Sequence, residues 1–148
     1  MKKRHEIQDT LERFFHLQTF RPNQEAIIQS VVSGHDVLAI MATGGGKSLC
    51  YQLPALMLSG MTVVISPLIA LMKDQVDNLA QRGIADAVTI NGLLSPIERA
   101  EAMERVESGL ASILYLSPES LRSASIERLL LSRNVVRFVI EEAHCLSA

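Results

Sequence analysis

Two hydrophobic periods alternate along the chain. Residues 6–16 repeat apolar side chains at helical spacing, which predicts an amphipathic helix. A second helix is expected from Pro22 to about Ser33, because proline suits a first helical position and Gly34 suits the end of a helix. Short apolar runs that predict buried strands follow at residues 36–41, 62–65, 87–90, 112–116 and 136–140.

Helical patterns lie between the predicted strands. One runs from Leu68 to Leu79, with Leu71 expected on its buried face. A second begins with the capping box Ser95–Glu98, buries Ile97, and ends near Gly109, and a third covers residues 119–131. Strands that alternate with helices predict an α/β domain with a mostly parallel sheet and helices on both faces. In such sheets ligands bind at the carboxyl ends of the strands.

Length and composition narrow the class of protein. A chain of 148 residues suits one domain, here divided into N-terminal helices over 1–34 and an α/β core over 35–148. Lys and Arg (14) nearly balance Asp and Glu (16), so net charge gives no general signal for nucleic acid. Cys50 and Cys145 have no metal-type spacing, and no apolar run approaches the length of a membrane span. We expect a reduced, cytoplasmic protein without a membrane partner.

A glycine-rich loop between a strand and a helix predicts a phosphate site. Thr43, Gly44, Gly45 and Gly46 follow the first strand, and their backbone N–H groups would approach phosphate oxygens. Lys47 would reach the β- and γ-phosphates, and the hydroxyl of Ser48 would bind Mg²⁺. The alternative is a glycine-rich turn with an incidental lysine. Pro54 is expected to break or kink the helix that follows.

Two carboxylates at the end of the last strand suit the second half of an ATPase site. Glu141 would hold Mg²⁺, and Glu142 would polarise the attacking water. The alternative is a pair of solvated surface glutamates. His144 follows closely and, taken alone, is equally suited to local hydrogen bonding.

Taken together, these motifs resemble the RecQ-type DNA helicases of superfamily 2. The resemblance spans most of the chain, and its motifs occur in the family's order. They are the runs Phe20–Gln24 (adenine motif), Met41–Ala55 (phosphate loop), Val64–Gln75, Tyr115–Glu119 and Glu141–Cys145.

The resemblance implies a RecA-like fold, Mg²⁺-dependent ATP hydrolysis and translocation on single-stranded DNA. It implies that Gln24, helped by Arg21, reads the adenine edge, since a side-chain amide both donates and accepts in one plane. The alternative for Gln24 is a solvated helix residue. Ser66, Pro67 and, more weakly, Asn91 would contact DNA, although loop and cap roles suit them equally. His144 would relay the nucleotide state to a second lobe.

Departures from the family keep other functions open. Glu141 stands where the family has aspartate, and Mg²⁺ demands tight octahedral geometry, so a nucleotide-binding regulatory module with impaired hydrolysis is the main alternative. A P-loop kinase is a further one, against which Gln24 and the motif at Ser66 argue. We expect the second RecA-like lobe, with its arginine finger, to belong to a longer protein, and this fragment to be nearly inactive alone.

Overall fold

A computed structural model describes residues 2–37 and 46–141 of the chain. The chain divides into two compact units, residues 1–59 and 60–148. The predicted strand over residues 36–41 falls almost entirely outside the described residues. Among the described helices, none is long and apolar enough to cross a membrane.

Unit 1 consists, in its described part, of three helices. They are α1 (Lys2–Phe15), α2 (Gln24–Val32) and α3 (Leu49–Met57). The predicted amphipathic helix is confirmed, because Ile7, Leu11 and Phe15 of α1 are buried at helical spacing. Ile28 of α2 and Leu53 of α3 are fully buried as well, so each of the three helices contributes to the core of this unit.

One prediction about a proline in unit 1 is wrong, and a second is wrong in part. Pro22 does not begin α2, because Asn23 adopts a left-handed conformation (φ 72°) and the helix starts only at Gln24. Pro54 does not break α3, which continues to Met57. A proline removes one N–H donor, but the carbonyl of Pro54 still accepts a hydrogen bond from the N–H of Leu58 at 3.0 Å, so the last turn of the helix stays closed.

Unit 2 alternates strands and helices, as the sequence predicts. Its sheet is entirely parallel in the described residues, with strand order β2-β3-β1-β4. The parallel α/β fold is therefore confirmed. In chain order the elements are β1 (Met61–Ile65), α4 (Ile69–Gln81), β2 (Ala87–Ile90), α5 (Pro96–Glu107), β3 (Ile113–Leu116), a 3₁₀ helix (Pro118–Arg122), α6 (Ala124–Ser132) and β4 (Val135–Ile140).

Helices cover both faces of this sheet. The connection from β1 to β2 crosses the sheet in the opposite direction to the two later connections, so right-handed crossovers put α4 on the face opposite α5 and α6. The core on the α5 and α6 face contains Ala102, Val106, Ile126 and Leu129 from the helices, with Met61, Val63, Ile65, Val88, Ile90, Leu114 and Leu116 from the strands. Met72 and Leu79 are the buried residues of α4.

The predicted buried faces of the helices need correction at their first turns. Leu68 precedes α4 and is 41% exposed, and Leu71 is 52% exposed, because the buried stripe of α4 centres on Met72 and Leu79. Ile97 is 73% exposed, since α5 meets the core only from Ala102 onward. The helix predicted over residues 119–131 is divided at Ser123, whose backbone is extended (φ −77°, ψ 127°).

The strand β4 carries a register shift. Met61 pairs with Val135, but Thr62 pairs with Arg137, so β4 holds one extra residue at this point. The Nε atom of Arg137 donates a hydrogen bond to Oγ1 of Thr62 across the pair, at 3.1 Å. This bond fixes the alignment of β4 immediately after the shift.

Candidate functional site

Gln24, from the predicted adenine motif, is buried at the start of α2. Its side chain is 3% exposed. The left-handed Asn23 turns the chain so that the Oε1 atom of Gln24 accepts a hydrogen bond from the backbone N–H of Arg21, at 2.8 Å. The alternative that Gln24 is a solvated helix residue is therefore wrong.

The other half of the Gln24 amide contacts the phosphate loop. Its Nε2 atom donates to the carbonyl oxygen of Gly46, 22 residues along the chain, at 2.9 Å. Gly46 has a left-handed backbone (φ +78°), and a Cβ atom added there would overlap Nε2 of Gln24. Both the backbone conformation and the close approach of the amide therefore require glycine at this position.

Lys47 and Ser48 connect Gly46 to α3. Both are half-buried, and the carbonyl groups of both accept hydrogen bonds from the first turn of the helix. The side chain of Ser48 makes no capping bond to that turn, although Ser48 is the N-cap residue. Its hydroxyl is therefore not used by the helix, which suits a ligand to a phosphate-bound Mg²⁺.

A groove lies beside the adenine motif on the surface of unit 1. Its volume is about 580 Å³. Loop residues line one part of it, and residues of α1 and α2 line the rest; the loop residues are Gln18, Thr19, Phe20, Arg21 and Asn23. An aromatic ring and a guanidinium group are the side chains that stack on a purine base. The groove is therefore a candidate site for the base, although the buried Gln24 is not among the residues that line it.

In unit 2, polar residues follow the strands at one level. The last residues of β2, β3, β1 and β4 are paired in register, from Ile90 to Leu116 to Ile65 to Ile140. The residue after each of them is polar. In the order of the sheet these residues are Asn91, Ser117, Ser66 and Glu141. The row occupies the edge where ligands of parallel sheets bind.

Ser66 and Asn91 bond to their own loops. The hydroxyl of Ser66 accepts from the N–H of Leu68, at 3.2 Å. Asn91 accepts from the N–H of Leu93 at 2.9 Å and donates to Oγ1 of Thr89 at 3.3 Å. Both side chains are buried, and Pro67 beside them is half-buried. These contacts match the loop roles that the sequence left open, and the DNA-binding roles stay predictions.

Ser120 is a residue of this edge that sequence reasoning missed. Its hydroxyl pairs with that of Ser117 at 2.9 Å and donates to the carbonyl of Ile90 at 3.3 Å. Both serines are buried, and together they tie the end of β3 to the end of β2. A serine three residues after another serine is too common a pattern to have indicated this pair.

Glu141, the first predicted acid, is half-buried directly after β4, and its N–H donates to the carbonyl of Ile65 at 3.0 Å. Arg137 lies four residues earlier on β4. Burial lowers the pKa of the Arg137 guanidinium, and its Nη2 atom is buried without a hydrogen-bond partner among the described residues. The same residues contain no cluster of three or more His, Cys, Asp or Glu that would hold a metal ion unaided.

Several predicted site residues lie outside the described residues. Thr43, Gly44 and Gly45 belong to the undescribed part of the phosphate loop, and Glu142 and His144 to the undescribed C-terminal residues. Their roles stay predictions, as does the meeting of the acidic pair with the phosphate loop.

Comparison with known proteins gives consistent results. The chain is 46% identical over 141 residues to the probable ATP-dependent DNA helicase RecS of Bacillus subtilis, covering 95% of the chain and 28% of that protein. It is 46% identical over 139 residues to the ATP-dependent DNA helicase RecQ of Pasteurella multocida, covering 94% of the chain and 22% of that protein. The chain thus spans less than a third of these relatives, and the resemblance to RecQ-type helicases is confirmed.

A solved structure and a family profile also indicate similarity to helicases. The crystal structure of the DUF1998 helicase MrfA bound to DNA and AMPPNP superposes with a TM-score of 0.75 at 26% identity, covering 95% of this chain and 21% of that one. The profile described as DEAD/DEAH box helicase matches residues 21–148, which include residues 21–24 of the adenine motif and the row of polar strand ends. The chain therefore belongs to the DEAD/DEAH box helicase family.

Proposed function

We propose that this chain is the ATP-binding motor lobe of a DNA helicase. In a longer protein it binds Mg²⁺-ATP, hydrolyses it and drives translocation on single-stranded or forked DNA. The observation that supports this most directly is the hydrogen bond from Gln24 to Gly46, because it joins the adenine motif to the phosphate loop within one unit. The names of the relatives, which are ATP-dependent DNA helicases, support the DNA substrate.

The described site residues bind three parts of the nucleotide: the base, the phosphates and the bound Mg²⁺. Phe20 and Arg21 hold the base in the groove beside the adenine motif, and Gln24 bonds its edge. The glycine loop and Lys47 neutralise the charge of the phosphates, which is most of the work in phosphoryl transfer. When bound, Mg²⁺ withdraws charge from the phosphate oxygens, and Ser48 with Glu141 would hold it.

The remaining tasks belong to the undescribed residues and to the polar strand ends. Glu142 orients the attacking water, and His144 relays the nucleotide state to a second RecA-like lobe. Ser66, Pro67 and Asn91 form the DNA side of the lobe, chiefly through backbone groups of their loops, since the side chains of Ser66 and Asn91 are already bonded locally. A cytoplasmic location is part of the same proposal.

Nucleotide binding by the 148-residue chain tests this proposal. We expect Lys47→Ala to weaken binding of a fluorescent ATP analogue in the presence of Mg²⁺ by at least about tenfold, because a phosphate-binding cation is lost. Lys73→Ala, which removes an exposed lysine from α4, is the matched control and should change the affinity less than about twofold. Equal affinities in the wild type and Lys47→Ala would contradict the proposal.

The regulatory module with impaired hydrolysis is the second candidate, and Glu141 in place of aspartate is what favours it. Both candidates bind nucleotide, so hydrolysis separates them. We propose that the 148-residue chain hydrolyses ATP barely, since an arginine finger from a second lobe contributes about 10³–10⁵ in rate. A longer chain that contains the second lobe should hydrolyse ATP in response to DNA if the lobe is a motor, and should only bind it if the lobe is a regulatory module.

A further inference from the structure

We propose that Gln24 is a positioning residue for the phosphate loop, and that its task is not confined to reading the base. Its amide holds Gly46 in a left-handed conformation. Gly46 directly precedes Lys47 and Ser48, so the amide also sets the course of the backbone into these two residues. The inference rests on the proposed function, since it concerns the same nucleotide site. It predicts that Gln24 matters for the phosphates of any nucleotide, whatever the base.

The Gly46 carbonyl accepts a hydrogen bond from the buried Gln24, and the Gly46 backbone is left-handed. The bond from Nε2 of Gln24 to the Gly46 carbonyl is 2.9 Å long, and it comes from a side chain that is only 3% exposed. Water therefore cannot easily replace it, and loss of the donor would leave a carbonyl oxygen unsatisfied. The φ of +78° at Gly46 is a conformation that a free loop leaves readily, so a buried bond on its carbonyl restricts the loop.

The second bond of the amide makes Gln24 a rigid support. The N–H of Arg21 holds Oε1 at 2.8 Å, so the plane of the amide is fixed from both ends. A side-chain amide has two N–H donors and two acceptor lone pairs. One donor and one acceptor are used internally, and recognition of an adenine edge would need the other donor and the other acceptor lone pair. Base recognition and loop geometry thus depend on one planar group.

The first test needs no ligand. Gln24→Met keeps the length of the side chain and removes both bonds, whereas Gln24→Glu keeps the acceptor for Arg21 and removes the donor to Gly46. In the nucleotide-free 148-residue chain we expect residues 46–52 to exchange amide hydrogens about tenfold faster in both variants. The first turn of α3, whose N–H groups bond to the carbonyls of Lys47 and Ser48, lies in this segment.

Thr10→Val is the matched control for this measurement. Thr10 is a buried polar residue of α1, and its hydroxyl donates to the carbonyl of Glu6 at 2.8 Å. Its loss removes a buried hydrogen bond of unit 1 without touching the loop, so exchange over residues 46–52 should stay at the wild-type rate. Wild-type exchange in Gln24→Met over the same segment would overturn the proposal.

A second arm separates positioning from base reading. Mg²⁺-tripolyphosphate and Mg²⁺-ATP compete with a fluorescent ATP analogue for the wild type and for Gln24→Met. Positioning predicts that tripolyphosphate weakens by about tenfold, and that ATP weakens at least as much because it also loses the bond to its base. Weakening of ATP alone would overturn the proposal, because it is the result of base reading only. A wild type that binds neither competitor would reject the proposed function and would leave the exchange result to decide the inference.

A measurement on the wild type covers the case in which the variants do not fold. The nuclear Overhauser effect between the Nε2 protons of Gln24 and the Hα protons of Gly46 reports their proximity in solution. We expect a strong cross-peak and slow solvent exchange of the bonded Nε2 proton. Absence of the cross-peak in the assigned spectrum would overturn the inference.

Discussion

Buried polar side chains serve different purposes in the two units. In unit 1, Gln24 reaches a residue 22 positions away and connects the adenine motif to the phosphate loop. In unit 2, the bonds of the buried Ser66 and Asn91 reach only two residues along the chain, although Ser120 and Arg137 bond to other strands. The nucleotide region of unit 1 thus depends on a contact between separate segments, whereas the loops after β1 and β2 in unit 2 are each held by a bond within the loop.

The contrast predicts how far the effect of losing one hydrogen bond should extend. Loss of a bond within one loop leaves the neighbouring loops attached to their own strands. Loss of the Gln24 bond removes a contact between two segments, and the effect should appear in both. Substitutions at matched positions in the two units therefore test whether this contrast holds.

The largest effect is expected from an alanine at Gly46. Gly46→Ala introduces a side chain into a left-handed position and displaces the Gln24 amide, which should lower the free energy of unfolding by about 3 kcal/mol. Gly83→Ala is the control in unit 2, since Gly83 is also left-handed (φ +82°) but has nothing within 4 Å of an added Cβ. It should cost only about 1 kcal/mol. Equal losses in chemical denaturation would contradict the contrast between the units.

Asn91→Ala should have an intermediate and local effect. It removes the bonds to Leu93 and Thr89 from a buried position, so the free energy of unfolding should fall by about 1–2 kcal/mol. Hydrogen exchange should rise over residues 87–95 and nowhere in unit 1. Asn78→Ala, on the exposed side of α4, is the control and should be nearly neutral. Faster exchange over residues 66–68, the loop after β1, in Asn91→Ala would show that the loops after β1 and β2 are not independent.

The smallest effect is expected at the exposed capping box. The Ser95 N–H donates to Glu98 and holds the pKa of that carboxyl below its ordinary value of 4.5. A lowered folded-state pKa contributes stability above the unfolded value, and that stability is lost as pH falls through the folded value. The stability difference between the wild type and Glu98→Gln should therefore shrink from about pH 7 to about pH 3. A difference that stays constant would show that the carboxylate charge contributes nothing.

Features with local signals were predictable from the sequence. The capping box is present as predicted, and Gly34 and Gly109 follow the ends of α2 and α5 with left-handed backbones. The described strands agree with their predicted runs to within a residue at each end, because continuous apolar runs between turns are typical of a buried parallel sheet. These signals depend on neighbouring residues only.

Features that depend on tertiary contacts were not predictable in the same way. No pattern in the sequence pairs Gln24 with Gly46, because the bond depends on how α2 packs beside the start of α3. The exposure of Leu71 and Ile97 was missed for a related reason, since helical periodicity gives a stripe but not the turn at which the stripe meets the core. The left-handed backbone at Asn23 moved the start of α2 past Pro22.

The register shift in β4 determines where Glu141, the first residue of the acidic motif, lies relative to the other strand ends. Side chains of β4 alternate between half-buried and exposed, so burial alone distinguishes weakly between neighbouring alignments of this strand. The bond from Arg137 to Thr62 is specific to one alignment. A slip by one residue would exchange the faces of Arg137 and Phe138 and would carry Glu141 out of line with the other strand ends. The position of Glu141 at the end of β4 therefore depends on the hydrogen bond that Arg137, four residues earlier, makes to Thr62.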